Sequence, residues 1–188
     1  MAISTINQAG LNAPLTLTSS ILNSPAFSGT PTGTLVSANM PTGSVLQVVQ
    51  RVSSQNYDLA AAGGGGTVGP TQLGDYYVTI TPKFATSKIL VMVQMTSVGF
   101  ANCSGNANWI NSFLYRGTST SLTSVLTYGY NNTYTLHSIN YLDSPATTSA
   151  TTYYVYGAGN GSTGGAYSWN RLAYSNNATT ITAMEVAG

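Results

Sequence analysis

Two neighbouring stretches decide the fold: Asp75-Tyr-Tyr-Val-Thr-Ile-Thr81 and Lys88-Ile-Leu-Val-Met-Val-Gln-Met-Thr-Ser-Val98. In the first, Tyr76, Val78 and Ile80 fall on one face and Tyr77, Thr79 and Thr81 on the other. That period of two is the signature of a strand. Pro82 ends it, having no amide hydrogen for a ladder, and Ala85-Thr86-Ser87 makes the turn. The second stretch puts Ile89, Val91, Val93 and Met95 on one face, with Leu90 and Met92 on the other.

Outward from this pair, further strands are predicted at 45–52, 109–116, 124–128, 134–142, 151–156, 167–172 and 179–186. Clusters of Gly, Asn, Ser and Pro separate them, and Gly63-Gly64-Gly65-Gly66 reads as a flexible connection. Nine or so short strands with no helical repeat predict an all-β protein, an antiparallel sandwich of jelly-roll type. Residues 1–43 differ in texture. They hold four of the seven prolines, and their short apolar pairs, Ile21-Leu22 and Leu35-Val36, follow no repeat. This segment is expected to be an extended arm for attachment or oligomerisation, with residues 44–188 forming the head.

Composition narrows the function. Only 5% of the 188 residues are charged, against roughly 25% in ordinary soluble domains. A net charge of +1 gives no electrostatic footprint for nucleic acid or an anionic membrane surface, so neither is expected as a partner. Helix surfaces are normally dressed with Glu, Lys and Arg, which argues against a helical bundle. The N-terminus lacks the basic and apolar regions of a secretory signal, and Ile89–Val93 is far shorter than the roughly 20 residues that span a bilayer. Synthesis in a cytosol is expected. Edge strands usually carry lysine or inward charge against unwanted pairing, yet Lys83 and Lys88 are the only lysines. Edges hidden in an oligomer are the simplest remedy.

The chemical inventory is short. Cys103, the single cysteine, sits in a polar loop and makes an intrachain disulfide impossible. His137, the single histidine, shares a face with Ile139 and Tyr141 and reads as structural. No Gly-x-Ser-x-Gly elbow surrounds a serine, and the glycine run lacks the Lys-Ser/Thr of a phosphate loop. Asp58 and Asp75 flank that run, and Asp143 opens the turn Asp143-Ser-Pro145. Asp75 reads as blunting a strand end and Asp143 as a turn starter. Glycoside cleavage would need two of these carboxylates about 5–9.5 Å apart. No enzyme activity, cofactor or metal is expected. Binding is the better possibility: Tyr128-Gly-Tyr130-Asn131-Asn-Thr-Tyr134 and Tyr167-Ser-Trp169-Asn170 set aromatic rings beside amides, as sugar-binding surfaces do. The same aromatics would equally fill a core or a subunit interface.

Several stretches resemble modules at the ends of bacteriophage tail fibres and other virion-surface proteins, particularly of phages infecting cyanobacteria and marine bacteria. They are 1–11, 40–50, Val78-Thr-Ile-Thr-Pro82 with Thr86-Ser-Lys-Ile-Leu-Val91, 138–153, and Thr180-Ile-Thr-Ala-Met-Glu-Val-Ala-Gly188. The resemblance implies a non-enzymatic virion structural protein, usually a homotrimer, on the virion surface. A tail fibre would need a long shaft, and only about 43 residues precede the head, a reach of at most about 140 Å. A capsid decoration, cement or head-fibre protein, its arm bound to the major capsid protein or another virion protein, is therefore expected. The alternative is a tail-fibre or receptor-binding tip that recognises host cell-surface glycan.

Overall fold

The computed structural model describes residues 40–60, 67–101, 108–129, 133–160, 166–169 and 177–188. The chain divides into two compact units, Met1–Leu35 and Val36–Gly188. The arm residues Ile21, Leu22, Leu35 and Val36 and the glycine run at 63–66 lie outside the described residues. Among the described residues, the second unit contains ten strands: β1 (Val45–Ser53), β2 (Tyr57–Ala60), β3 (Thr67–Ile80), β4 (Lys88–Ala101) and β5 (Asn108–Arg116), then β6 (Thr120–Gly129), β7 (Tyr134–Asp143), β8 (Thr151–Asn160), β9 (Ala166–Trp169) and β10 (Thr179–Val186).

The pairing follows one rule. Every strand of the first half meets its mirror partner in the second, antiparallel: β1 with β10, β2 with β9, β3 with β8, β4 with β7 and β5 with β6. The chain is one long hairpin, with its tip between β5 and β6. Gly117 at that tip has φ +61, a left-handed conformation that glycine adopts without a Cβ penalty. Rolling the hairpin over adds the pairs β10–β4, β9–β4 and β8–β5. Two sheets result: β1-β10-β4-β7, with β9 and β2 continuing it beside β4, and β3-β8-β5-β6. This is the jelly roll that the strand pattern predicts.

The core lies between the sheets, on the faces the period of two marks out. Tyr76, Val78 and Ile80 of β3 and Ile89, Val91, Val93 and Met95 of β4 are buried against Ile110, Leu114, Tyr153, Val155 and Ile181. Each such side chain contributes about 1.5–3 kcal/mol by leaving water. After Met95 the register with β7 slips by one residue, and Ser97 takes a positive φ of 65. This bulge bends β4. Beyond it, β9 replaces β10 along the strand, opposite Val98–Ala101.

β3 departs most from expectation. It starts at Thr67, well before Asp75, and runs through Gly69, Pro70 and Gly74. Four residues between Gln72 and Tyr77 stand opposite only one, Val155, between their partners Tyr156 and Tyr154 on β8. Asp75 therefore sits inside a wide bulge of an edge strand and does not blunt a strand end. Tyr57 of β2 packs over the bulge: its hydroxyl accepts the Asp75 N–H at 2.9 Å, and its ring meets that of Tyr76 edge-on at 5.1 Å. A Cβ at Gly74 would collide with the Tyr57 ring and hydroxyl. Gly74→Ala should therefore displace Tyr57 and cost about 1–3 kcal/mol. Urea denaturation reads the loss, and an unchanged midpoint would refute the packing.

Candidate functional site

The titratable groups hold the sandwich together. Glu185 is fully buried on β10. Its Oε1 accepts the N–H groups of Lys83 (2.7 Å) and Phe84 (3.3 Å), and its Oε2 accepts from Gln47 Nε2 (2.6 Å). It pins the β3–β4 connection to the first and last strands. Asp143, at the end of β7, accepts from Arg116 Nη1 at 2.9 and 3.0 Å and from the buried Tyr153 hydroxyl at 2.8 Å. Asp143 thus bridges the two sheets as half of an ion pair, where a turn starter was expected. Burial pushes the Tyr153 phenol well above its usual range. Asp75 pairs with Arg51 at 3.0 Å, and the Arg51 guanidinium lies 4.1 Å over the Tyr77 ring.

His137 is fully buried on β7 and faces the core, as its alternation with Ile139 predicts. Its Nδ1 lies 2.8 Å from Ser112 Oγ on β5, and its Nε2 lies 2.8 Å from Thr127 Oγ1 on β6. A neutral imidazole, one nitrogen donating and the other accepting, suits two hydroxyl partners. Burial lowers its pKa to about 4.

The predicted sugar-binding residues are only partly gathered. Tyr128, at the end of β6, is 67% exposed, and Tyr134, half-buried, begins β7 after the intervening connection. On β4, Val98 pairs with Trp169 on one side and Thr135 on the other, so the backbone of Trp169 lies at the same end of the sheet as Tyr134. Tyr130, Asn131, Asn170 and the Trp169 side chain lie outside the described residues.

A larger aromatic surface escaped the sequence reading. Tyr77, Tyr154 and Tyr115 form one rung across the outer face of β3-β8-β5, and Tyr156 and Phe113 the next. Tyr77 and Tyr154 are 5.7 Å apart, Tyr115 and Tyr156 4.3 Å, and Phe113 and Tyr115 6.3 Å between ring centroids. Within the same face, Asn111 Oδ1 is a buried acceptor with no hydrogen-bond partner among the described residues. The signal was present as aromatic residues spaced by two, out of phase with the core positions of β5 and β8. Finding the rungs required the strand order.

Two outcomes test these roles. The folded His137 resists protonation while the unfolded chain takes a proton near pH 6.5, so stability present above that value falls as pH drops to about 4. The loss is about 3 kcal/mol, read as a fall in Tm, and His137→Gln should flatten that step. Arg116→Met would strand the Asp143 carboxylate. With Arg116 about a third exposed (32%), the cost should be about 2–3 kcal/mol in urea unfolding.

No protein-family model matches the chain, and no curated protein matches it. Among solved structures it is similar to the infectious bursal disease virus particle of the Gx strain (14% identity, TM-score 0.41, 87% of this chain and 42% of that one). It is also similar to the same virus's T13 particle (12%, 0.40, 87% and 40%) and to its VP2 subviral particle (13%, 0.36, 76% and 38%). The chain thus spans about two fifths of the viral proteins that it resembles. These neighbours are viral shell proteins; at such scores the fold of the present chain stands on its own strand order.

Proposed function

We propose that this chain is a non-enzymatic structural protein of a bacteriophage virion, a trimeric capsid decoration, cement or head-fibre protein attached through residues 1–43. The observation that carries the reading is a division of labour among side chains. Asp75, Asp143, Glu185 and His137 are engaged in bonds inside the domain, while large apolar side chains such as Val48, Val52, Leu126 and Leu136 stand exposed on its outer strands. That arrangement favours covering by other subunits over turnover of a substrate. Jelly rolls recur in viral shells, lectins and cupins, so the fold is compatible with the reading and does not select it.

A second reading, a receptor-binding tip, draws support from the outward aromatic rungs. Aromatic rings cover the apolar face of a pyranose.

Attachment by apolar burial and neutral hydrogen bonds should survive salt that screens ion pairs. Retention on purified particles is expected to stay constant from about 0.1 to about 1 M salt, and deletion of residues 1–43 should abolish it. Release by salt, or attachment without the arm, would refute the decoration reading. Host-glycan binding abolished by Tyr115→Ala with Tyr154→Ala would favour the second.

A further inference from the structure

The first sheet has an outer face as well as a core face. Its strands β1, β10, β4 and β7 pair in register, so one rung runs across all four: Val48, Met184, Leu90 and Leu142. These side chains point away from the core, since Glu185, Ile89 and Asp143 on the adjoining rung are buried. Val48 and Leu142 are 55% and 51% exposed. Val52 and Leu136 share their parity and stand on the same face, and Val45 joins it beside Val186. Among the described residues, five of the seven exposed large apolar side chains therefore lie on this one face: Val45, Val48, Val52, Leu136 and Leu142. A sheet face kept in water is normally polar, so an apolar rung four strands wide calls for cover.

We infer that a second copy of this chain covers this face, the two first sheets stacked outer face to outer face about a two-fold axis. Three observations single out a second copy as the occupant. Charge is the first. Arg51, Glu185, His137 and Asp143 fall on the inward rungs and bond within their own chain. Lys88, on the end rung beside Val186, is the only ionic side chain that these four strands present outward. A charged partner finds little to hold there, whereas an identical face brings a matching apolar rung. The second is the way the face satisfies its own polar groups. Gln50 Nε2 donates to Thr182 Oγ1 at 3.0 Å, and Gln94 Nε2 donates to Ser138 Oγ at 2.6 Å. Both bonds run along the face between neighbouring strands, so cover leaves them intact and the cost of removing water falls. The third is area. Four strands about 4.8 Å apart and about eight residues long give each copy a footprint on the order of 500 Å². The two copies together then bury about 1,000 Å², enough for a specific interface.

The axis runs along the strands, between β10 and β4. It lays the apolar rung on its counterpart, Val48 over the partner's Leu142 and Met184 over the partner's Leu90. An axis along the rung would overlap only the end of the face, where that rung lies. Each Lys88 then stands over the partner's Val186 at the end of the sheet, its stem covering the valine and its ammonium in water. Stacked sheets keep their strands within about 30° of each other and about 10 Å apart, which the outward side chains fill. The inference rests on the assembly reading above and adds to it a two-fold joint, separate from any three-fold contact.

The test uses the full-length chain in sedimentation equilibrium. The wild type should hold an even number of subunits. Val48→Lys with Leu142→Lys, at two positions already exposed in a single copy, sets lysines against each other across the contact and should halve the mass. Val48→Lys with Leu142→Glu sets opposite charges there and should keep the wild-type mass. Should the lysine pair unfold the domain, Val48→Thr with Leu142→Thr should weaken association about tenfold. A monomeric wild type would overturn this inference and the trimeric reading together. A trimer indifferent to the lysine pair would overturn the two-fold joint alone, and a paired wild type that fails to bind particles would overturn the decoration reading alone. If the lysine–glutamate variant dissociates as the lysine pair does, the stacking of Val48 on the partner's Leu142 is wrong. Loss of the lysine pair from purified particles with no change in mass would give the face to another virion protein and sink the inference.

Discussion

The structure depends on satisfying both edges of β4. Its fourteen residues bond to β10 and then β9 on one side and to β7 on the other. A buried strand with unpaired amides and carbonyls loses about the full desolvation cost of each. β4 can therefore be buried only if the last forty residues return to it. That requirement brings β10 beside β1, closes the first sheet, and leaves the second to cover the apolar face of Ile89, Val91, Val93 and Met95. Few of the contacts are local, which places the domain among slow-folding topologies.

Shortage of charge takes on a different meaning once the carboxylates are located. Each of Asp143 and Glu185 is buried and accepts three hydrogen bonds. They act as polar rivets at sites where β strands must be tied to loops or to the other sheet. Such buried ionic groups need complete partners, so a chain with four acids can place them only where the partners are certain. The outside is left to Thr, Asn, Ser and Tyr.

Much of this was legible locally. The faces of Tyr76–Ile80 and Ile89–Met95, the core orientation of His137, and the bounds of β10 follow from alternation alone. Glu185 shares the parity of Ile181 and Ala183, so its burial could have been read there too. Other features were hidden for physical reasons. Gly69, Pro70 and Gly74 look like a loop, yet a bulged edge strand tolerates all three. β2 is four residues long and carries too little pattern. The aromatic rungs arise from which strands become neighbours, and that order is a property of the rolled hairpin.

The roll also fixes how the domain bears load. Val45 pairs with Val186, and Gly43 and Ser44 exchange hydrogen bonds with Ala187, so the first and last strands end side by side. Pulling those two ends apart would unzip β1 from β10 one rung at a time. The turn at Gly117 lies at this same end, since Arg116 beside it pairs with Asp143, opposite Ile89 at the start of β4. A pull between it and the start of β1 thus runs across the strands and not along them. Force applied between these two points therefore meets the ladders in their weaker, peeling direction.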